Sequence, residues 1–412
     1  MFKNALELLL LGCYNKMDFL LCDIGFFDML FISSRQKEKT MSKAITSRIL
    51  GFAKKNTVML IALLAALITM IFVPVDKQYL EYFDYKTLTC LFCTLAIVCA
   101  LKNIHFFYML AHKVVQLFKN ARMSVLALTY ITFIGSMLIA NDMALLTFLP
   151  LGFIVLTSTG KEKYMAFTFI MQNIAANLGG MLTPFGNPQN LYLYTKFNIP
   201  TGEFMSIMAL PFVVAILLIT LCCIIFVKKE PLTVKDEKIE LSPAKTVIYL
   251  ILFALSIVIV FRVIPYFIGL IVIPAALLIM DRKALRMVDY PLLLTFVFFF
   301  IFSGNMARID AVRNIFSMLL EKSTLLVSVI SCQFISNVPS AILLSQFTEN
   351  YRELLLGVNI GGTGTLIASL ASLITFREYV KHNPKKTGYY VALFSAFNFA
   401  FLIILTVLMM LA

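Results

Sequence analysis

Apolar residues run along this chain in long blocks, separated by short charged loops. The blocks fall near residues 57–73, 87–101, 123–139, 143–158, 164–182, 204–227, 246–264, 266–280, 290–304, 324–347, 354–376 and 387–411. Many reach or approach the ~20 apolar residues that cross a bilayer as a helix. Inside hydrocarbon the backbone has to satisfy its own hydrogen bonds, which makes such blocks helical. The pattern therefore predicts an all-α polytopic membrane protein. Composition agrees: 60% of the 412 residues are hydrophobic, 14% are charged, and the mean hydropathy is +0.90.

One stretch resists the pattern. "NLGGMLTPFGNPQNLYLY", Asn177 to Tyr194, sits at membrane depth yet carries three Gly, two Pro, three Asn, a Gln and a Thr. A helix cannot run through it unbroken. Irregular backbone at that depth is tolerated only where it is buried in protein or lines a cavity.

Charge gives the orientation. The net charge of +13 comes from basic residues clustered in short loops at 43–55, 102–122, 161–163, 228–245, 282–286 and 377–386. All of these should face the cytoplasm. No basic patch on a soluble face and no nucleic-acid motif accompanies them. Strict alternation of spans then fails, because both ends of 123–158 look cytoplasmic and both ends of 324–347 fall outside. Two re-entrant hairpins restore it. On that topology, from residue 41 onward, 22 Lys and Arg lie inside and 8 outside. Amphipathic stretches at 103–120 and 307–322 precede the hairpins and read as interfacial helices, one on each face. The run 228–245 reads as a solvated cytoplasmic loop.

The chain also repeats itself. "NLGGMLTPFGNPQNL" (177–191) aligns without gaps to "NIGGTGTLIASLASL" (359–373). Upstream of each lies a hairpin tip, "LIANDMALL" (138–146) and "FISNVPSAILL" (334–344), with Asn141 matching Asn337. An extra span at 246–264 turns the second copy over. This predicts an inverted-topology repeat with two re-entrant hairpins and two broken helices, the construction of many secondary transporters. The repeat units are 41–227 and 265–412, joined by a loop and linker span at 228–264. Residues 1–40 hold short apolar pieces interrupted by charges and read as an N-terminal extension, a mis-assigned start outside the core fold.

The breaks suggest chemistry. A half-helix ending at midplane presents free N–H groups, which attract anions, or free carbonyls, which coordinate small cations. Gly186 interrupts the first helix, and Thr183, Asn187 and Asn190 add polar side chains. Gly362, Thr363 and Thr365 do so in the second copy, and Asn141, Ser336, Asn337 and Ser340 at the tips. Taken singly, each small residue also fits close helix packing and each Asn also fits interhelical bonding. Their recurrence in both halves favours a binding site. Asp142 is the lone acid of its apolar block, and an ionisable group at that depth is a functional candidate. Cys90 and Cys93, spaced as C-x-x-C on a membrane helix, read as packing, and no metal set or cofactor motif is present beyond coupling Na⁺ or H⁺.

At these residues the sequence resembles the ion transporter superfamily of anion permeases. That group holds divalent anion:sodium symporters, citrate permeases, arsenite efflux proteins and one class of sodium/proton antiporters. "NDMALLTFLP", "LTPFGNPQNLYLY", "ISNVPSAILL" and "GVNIGGTGTLIASLASLI" carry the likeness, which extends over 57–411 and is closest to uncharacterised bacterial permeases. It implies a substrate site between the hairpin tips, a cation site beside each, and a homodimer with a scaffold and an elevator-like transport domain. Carboxylate-transporting members carry Ser-Asn-Thr at each tip. Here Ala140-Asn141-Asp142 and Ser336-Asn337-Val338 stand instead, and an Asn-Asp tip looks more like the arsenite and sodium/proton branches.

The expectation is a multi-pass secondary transporter of the cytoplasmic membrane, moving a small inorganic or organic anion coupled to H⁺ or Na⁺. A cation/proton antiporter is the rival within the class. A channel or an intramembrane hydrolase is the rival outside it, although no span holds a Ser–His pair or two aspartates. No enzyme activity is expected, and no phosphate-binding G-x-x-x-x-G-K-[ST] motif indicates ATP drive.

Overall fold

The structure, a computed structural model, describes residues 51, 56–232 and 241–412. The 1–40 extension lies outside them. Regular structure among the described residues is helical, apart from one isolated bridge between Asn120 and Pro231. The helices are α1 (Thr57–Phe72), α2 (Tyr85–Asn103), α3 (Phe106–Gln116), α4 (Ala121–Ile139), α5 (Asn141–Ser158), α6 (Met165–Gly179), α7 (Pro188–Lys196), α8 (Thr201–Phe226), α9 (Pro243–Val260), α10 (Tyr266–Met280), α11 (Arg282–Met287), α12 (Tyr290–Ala307), α13 (Asp310–Lys322), α14 (Thr324–Ile335), α15 (Asn337–Leu344), α16 (Tyr351–Ile360), α17 (Leu370–His382) and α18 (Thr387–Leu411).

Among the described residues, seven helices are long and apolar enough to cross a membrane: α2, α4, α5, α8, α9, α12 and α18. Their outer faces are apolar as well. Along α8, Leu210, Val213, Leu217, Leu221 and Ile224 all point outward at helical spacing. A soluble protein does not leave so much apolar surface in water, whereas hydrocarbon accepts it. α2 is the opposite case. It has buried residues on every side from Thr87 to Leu101 and forms the middle of the molecule. The protein is an all-α polytopic membrane protein.

The helices fall into two packed groups. α1 lies along α12, and α9, α10 and α11 lie on α2. In the other group α4, α5 and α6 pack together, α14 packs on α16, and α8, α17 and α18 close around α6. α7 and α15 touch each other and reach across to α2 and α12 respectively. The two expected amphipathic helices are present and shorter than the sequence suggests. α2 runs on to Asn103, which leaves α3 at 106–116, and α13 starts at Asp310 after the turn at Arg308.

Both expected hairpins turn within one residue. α4 passes to α5 at Ala140 (φ 66°, ψ 152°), and α14 passes to α15 at Ser336 (φ 75°, ψ 159°). That conformation is essentially reserved for glycine and costs a side-chain-bearing residue roughly 1–3 kcal/mol. Two non-glycine residues therefore hold the same strained geometry at matching places. Gly costs only about 0.5–1 kcal/mol more unfolded-state entropy than Ala, so relief of strain wins. Ala140→Gly is expected to raise the thermal midpoint of the purified protein, and a lowered midpoint would show that the turn is unstrained.

The breaks match too. α6 ends at Gly179 and α7 begins after Asn187 (φ −139°, ψ 143°). α16 ends at Ile360 and α17 begins after Ser369 (φ −147°, ψ 151°). Pro188 opens α7, where its missing N–H costs nothing.

Polar contacts gather the helix ends at two faces. At one, Glu230 accepts from Lys161 at 2.9 Å, from Lys163 and from the Tyr164 hydroxyl, and its carbonyl accepts the Ala121 N–H at 2.8 Å. Lys163, Lys161 and Tyr164 together hold the Glu230 carboxyl down at about 2. Arg122 donates to the Val227 carbonyl, and Asn103 to Asp281. Residues 228–232 are thus a clasp on the first hairpin's base and not merely solvated loop. At the other face, Arg262 binds Asn198 and the carbonyls of Tyr194 and Ile199, Tyr351 donates to Glu203, and Arg308 pairs with Asp76.

Candidate site where hairpin tips meet broken helices

The two tips and the two breaks converge on a buried cluster of amides. Asn141 Nδ2 donates to Asn177 Oδ1 at 3.1 Å. Asn187 Nδ2 reaches the Asn177 carbonyl at 3.2 Å and Asn359 Oδ1 at 3.4 Å. Asn359 Nδ2 extends the chain to Asn190 Oδ1 at 2.6 Å. Asn337 lies against Gly362, where a Cβ would stand 3.0 Å from its Nδ2 and 3.7 Å from Asn177 Oδ1. All six amides are buried, at 0–4% exposure. Groups so far from water have to find partners, and most of these amides bond one another, while Asn187 Oδ1 has no partner among the described residues.

The two halves are held by the same bonds. Asn141 Oδ1 accepts the Asp142 N–H at 2.9 Å, and Asn337 Oδ1 accepts the Val338 N–H at 2.9 Å. The Thr183 hydroxyl donates to the Met137 carbonyl at 2.7 Å, and the Thr365 hydroxyl to the Gln333 carbonyl at 3.1 Å. Each pins a hairpin arm to a break. Gly179 and Gly361 allow the approach, since a Cβ would fall 2.7 Å from Ser136 Oγ and 2.9 Å from Cys332 Sγ. The first tip therefore lies against the break that follows α6.

The structure sorts the expected site residues. Asn141, Asn187, Asn190, Asn337 and Gly362 come together. Gly186 packs against the Gly180 carbonyl. The hydroxyls, expected to face a bound ion, are occupied by the protein itself. Thr183 and Thr365 tie the hairpins, Thr363 bonds back to Ile360, Ser340 bonds Ser336 O and Ser331, and Ser336 bonds the Ala368 carbonyl. A short hydroxyl on a tight turn finds a backbone carbonyl before it finds a ligand.

Asp142 sits beside the cluster and not in it. Its Oδ1 is buried without a hydrogen-bond partner. It lines a narrow cleft with Ala140, Phe185, Pro188, Leu370, Leu292 and Asp289, and among the described residues no Lys, Arg or His shares that lining. The starts of α5, α7 and α17 line this cleft through Asp142, Pro188 and Leu370, so three helix N-termini, each positive in partial charge, border it. Asp289, which caps α12 through the Leu292 N–H, was not legible as a partner because it lies 147 positions away along the chain. A vestibule of about 410 Å³ opens elsewhere, beside α2, α7 and α12, lined by Lys86, Tyr192, Lys196, Phe300 and Gln346 among others.

Sequence reasoning missed further polar members. Asn173 joins Asn398 and Thr375 across α6, α18 and α17. Gln172 binds Thr132 and the Phe148 carbonyl. Gln333 binds three carbonyls of the second half. A polar residue every few positions in an apolar block is the only signal these leave.

Comparison with known proteins gives the family. The chain is 35% identical over 297 residues to an uncharacterised transporter of Methanocaldococcus jannaschii, a match covering 71% of this chain and 81% of that protein. It is 29% identical over 319 residues to an inner membrane protein of Escherichia coli, YbiR, covering 74% and 83%. A citrate transporter profile matches residues 29–350. That match starts within the 1–40 stretch and takes in both hairpins and the first break. With most of the chain matched, the protein belongs to the citrate transporter family and is a membrane transporter.

Proposed function

We propose that the protein is a secondary active transporter that moves a small anion, inorganic or organic, across the cytoplasmic membrane with H⁺ as the coupling ion. The observation that carries this is the convergence of two hairpin tips and two broken helices on one buried polar site. Two re-entrant hairpins entering from opposite faces, in an inverted repeat, present that site to each side in turn. The matching turns at Ala140 and Ser336 and the matching threonine bonds support the repeat. The two helix groups supply a scaffold and a body that slides past it as an elevator, in the homodimer that the resemblance implies. The Escherichia coli relative's name supports the inner membrane as the location.

The cleft supports the coupling. Three helix N-termini favour negative charge there, and Asp142 already stands at their convergence. A substrate anion and an ionised Asp142 would exclude each other at close range. A proton on Asp142 removes the conflict, so anion and proton enter together. Asp289 is the other ionisable group facing the cleft, and it strengthens the demand for a proton. The bias of 22 basic residues to one face and 8 to the other supports the Glu230 face as cytoplasmic.

Single cysteines test the architecture. Placed at 161–163 or 228–232, they are expected to react with an impermeant thiol reagent from the cytoplasm only, and at Glu349 or Arg352 from outside only. Labelling of 161–163 from outside would make α4 and α5 an ordinary pair of spans and remove the reading.

A further inference from the structure

Helix breaks at membrane depth leave carbonyl oxygens that a small cation can use. In this protein a side-chain amide already occupies each set. Asn190 Nδ2 donates to the carbonyls of Gly180 at 3.2 Å, Met181 at 3.2 Å and Thr183 at 3.5 Å. Gln333 Nε2 donates to the break carbonyls of Gly361 at 2.9 Å and Thr363 at 3.1 Å, and to Val329 of its own helix at 3.2 Å. Met181 and Thr363 are equivalent positions of the repeat. The orientation of both amides is fixed by their surroundings. Three carbonyls face each NH₂ group, while Asn190 Oδ1 accepts from Asn359 and Gln333 Oε1 accepts from the Thr365 N–H at 2.9 Å. Flipping either amide would put oxygen against oxygen on one side and lose a donor on the other.

The two amides do not come from equivalent positions. The repeat partner of Asn190 is Ser372, and that of Gln333 is Met137. One plug is supplied by α7, downstream of its break, and the other by α14, an arm of the hairpin. Two unrelated positions thus do one job in the two halves. We infer that Asn190 and Gln333 act as built-in cation substitutes that fill the carbonyl sets of the two breaks and exclude Na⁺ from them. This rests on the transporter reading and narrows its coupling ion. A donor NH₂ meets three carbonyl dipoles as a cation would, and it cannot leave during the transport cycle. No ion-binding energy is then available from these carbonyls to drive uptake with Na⁺.

The repeat provides mild variants for the test. Gln333→Met and Asn190→Ser each install the residue that the other half already tolerates. The midpoint of thermal unfolding of purified protein is measured in NaCl and in choline chloride at equal ionic strength, with Na⁺ titrated. Wild type is expected to show no Na⁺-specific shift, and each variant a saturable rise in Na⁺ alone, because binding to the folded state raises the midpoint. A saturable Na⁺-specific rise in wild type would overturn the inference and leave anion transport standing. So would variants that fold but ignore Na⁺, since their opened carbonyls would then not be a cation site. Should wild type transport no anion at all, the proposed function would fail while the melting comparison kept its meaning.

Discussion

Asn141→Ala and Asn337→Ala are each expected to reduce transport by about ten- to a hundredfold while folded protein remains in the membrane. Each tip amide sits at the turn between two hairpin arms, with its oxygen holding the next N–H of its own helix. Asn141 also donates to Asn177, the next amide of the chain. Truncation removes that donor and leaves Asn177 Oδ1 buried and unpaired, a cost of about 1–3 kcal/mol, with about 1.5–3 kcal/mol for a lost charge-assisted contact to a bound anion. Losses of that size cripple a cycle whose site has to form and dissolve at every turn. They fall below the 5–15 kcal/mol that holds a typical domain folded. Initial uptake rates, beside the amount of protein that elutes folded from a sizing column, separate the two effects. Full transport with unchanged ion dependence in either variant would assign the amide to interhelical bonding alone.

Asp142→Asn is the second large effect. The amide keeps the shape and one oxygen of the carboxyl but cannot take up or release a proton. Accumulation driven by a pH gradient is expected to vanish, together with the pH dependence of uptake. Exchange of labelled for unlabelled anion is expected to persist, because the neutral amide leaves the three helix N-termini free to receive the anion. Coupling through Na⁺ at this carboxyl would give another pattern, in which Na⁺ affinity falls and exchange weakens with it. Wild-type accumulation and ion dependence in the variant would take Asp142 out of the mechanism. Asp289→Asn serves as the companion. It removes the neighbouring charge while keeping the α12 cap, so exchange is expected to continue with a shifted pH dependence.

Much of this was readable along the chain, and the limits have physical causes. Breaks and tips were legible because Gly, Pro and Asn are costly in a membrane span, so a cluster of them marks a place where the helix stops. Asn141 with Asn337, and the segments from Asn177 and Asn359, stood out because the cost is incurred twice in the same order. The helix ends were less legible. α4 and α5 are each as long as a span, and only their contacts place the first tip beside the break of α6. The bonds of the serines and threonines were not legible, because a hydroxyl's nearest acceptor depends on backbone turns that the sequence does not display. Gln333 and Asp289 were missed for another reason. Each is a single polar residue whose partners belong to segments distant in sequence, and nothing in its own neighbourhood tells which helix face it occupies. Glu230 lay in a run of lysines that reads as solvent-facing, and its clasp on Lys161 and Lys163 depends on α8 returning to the base of the first hairpin.

The central claim is that an anion and a proton cross together through this site. Uptake into liposomes holding the purified protein, with labelled citrate and a panel of small inorganic and organic anions, measures it directly when the pH and Na⁺ gradients are varied separately. At least one anion is expected to accumulate when the pH gradient is imposed, with no requirement for Na⁺, and to stop accumulating when a protonophore collapses that gradient. Accumulation that follows the Na⁺ gradient and ignores pH, or no uptake of any anion under either gradient, would contradict it.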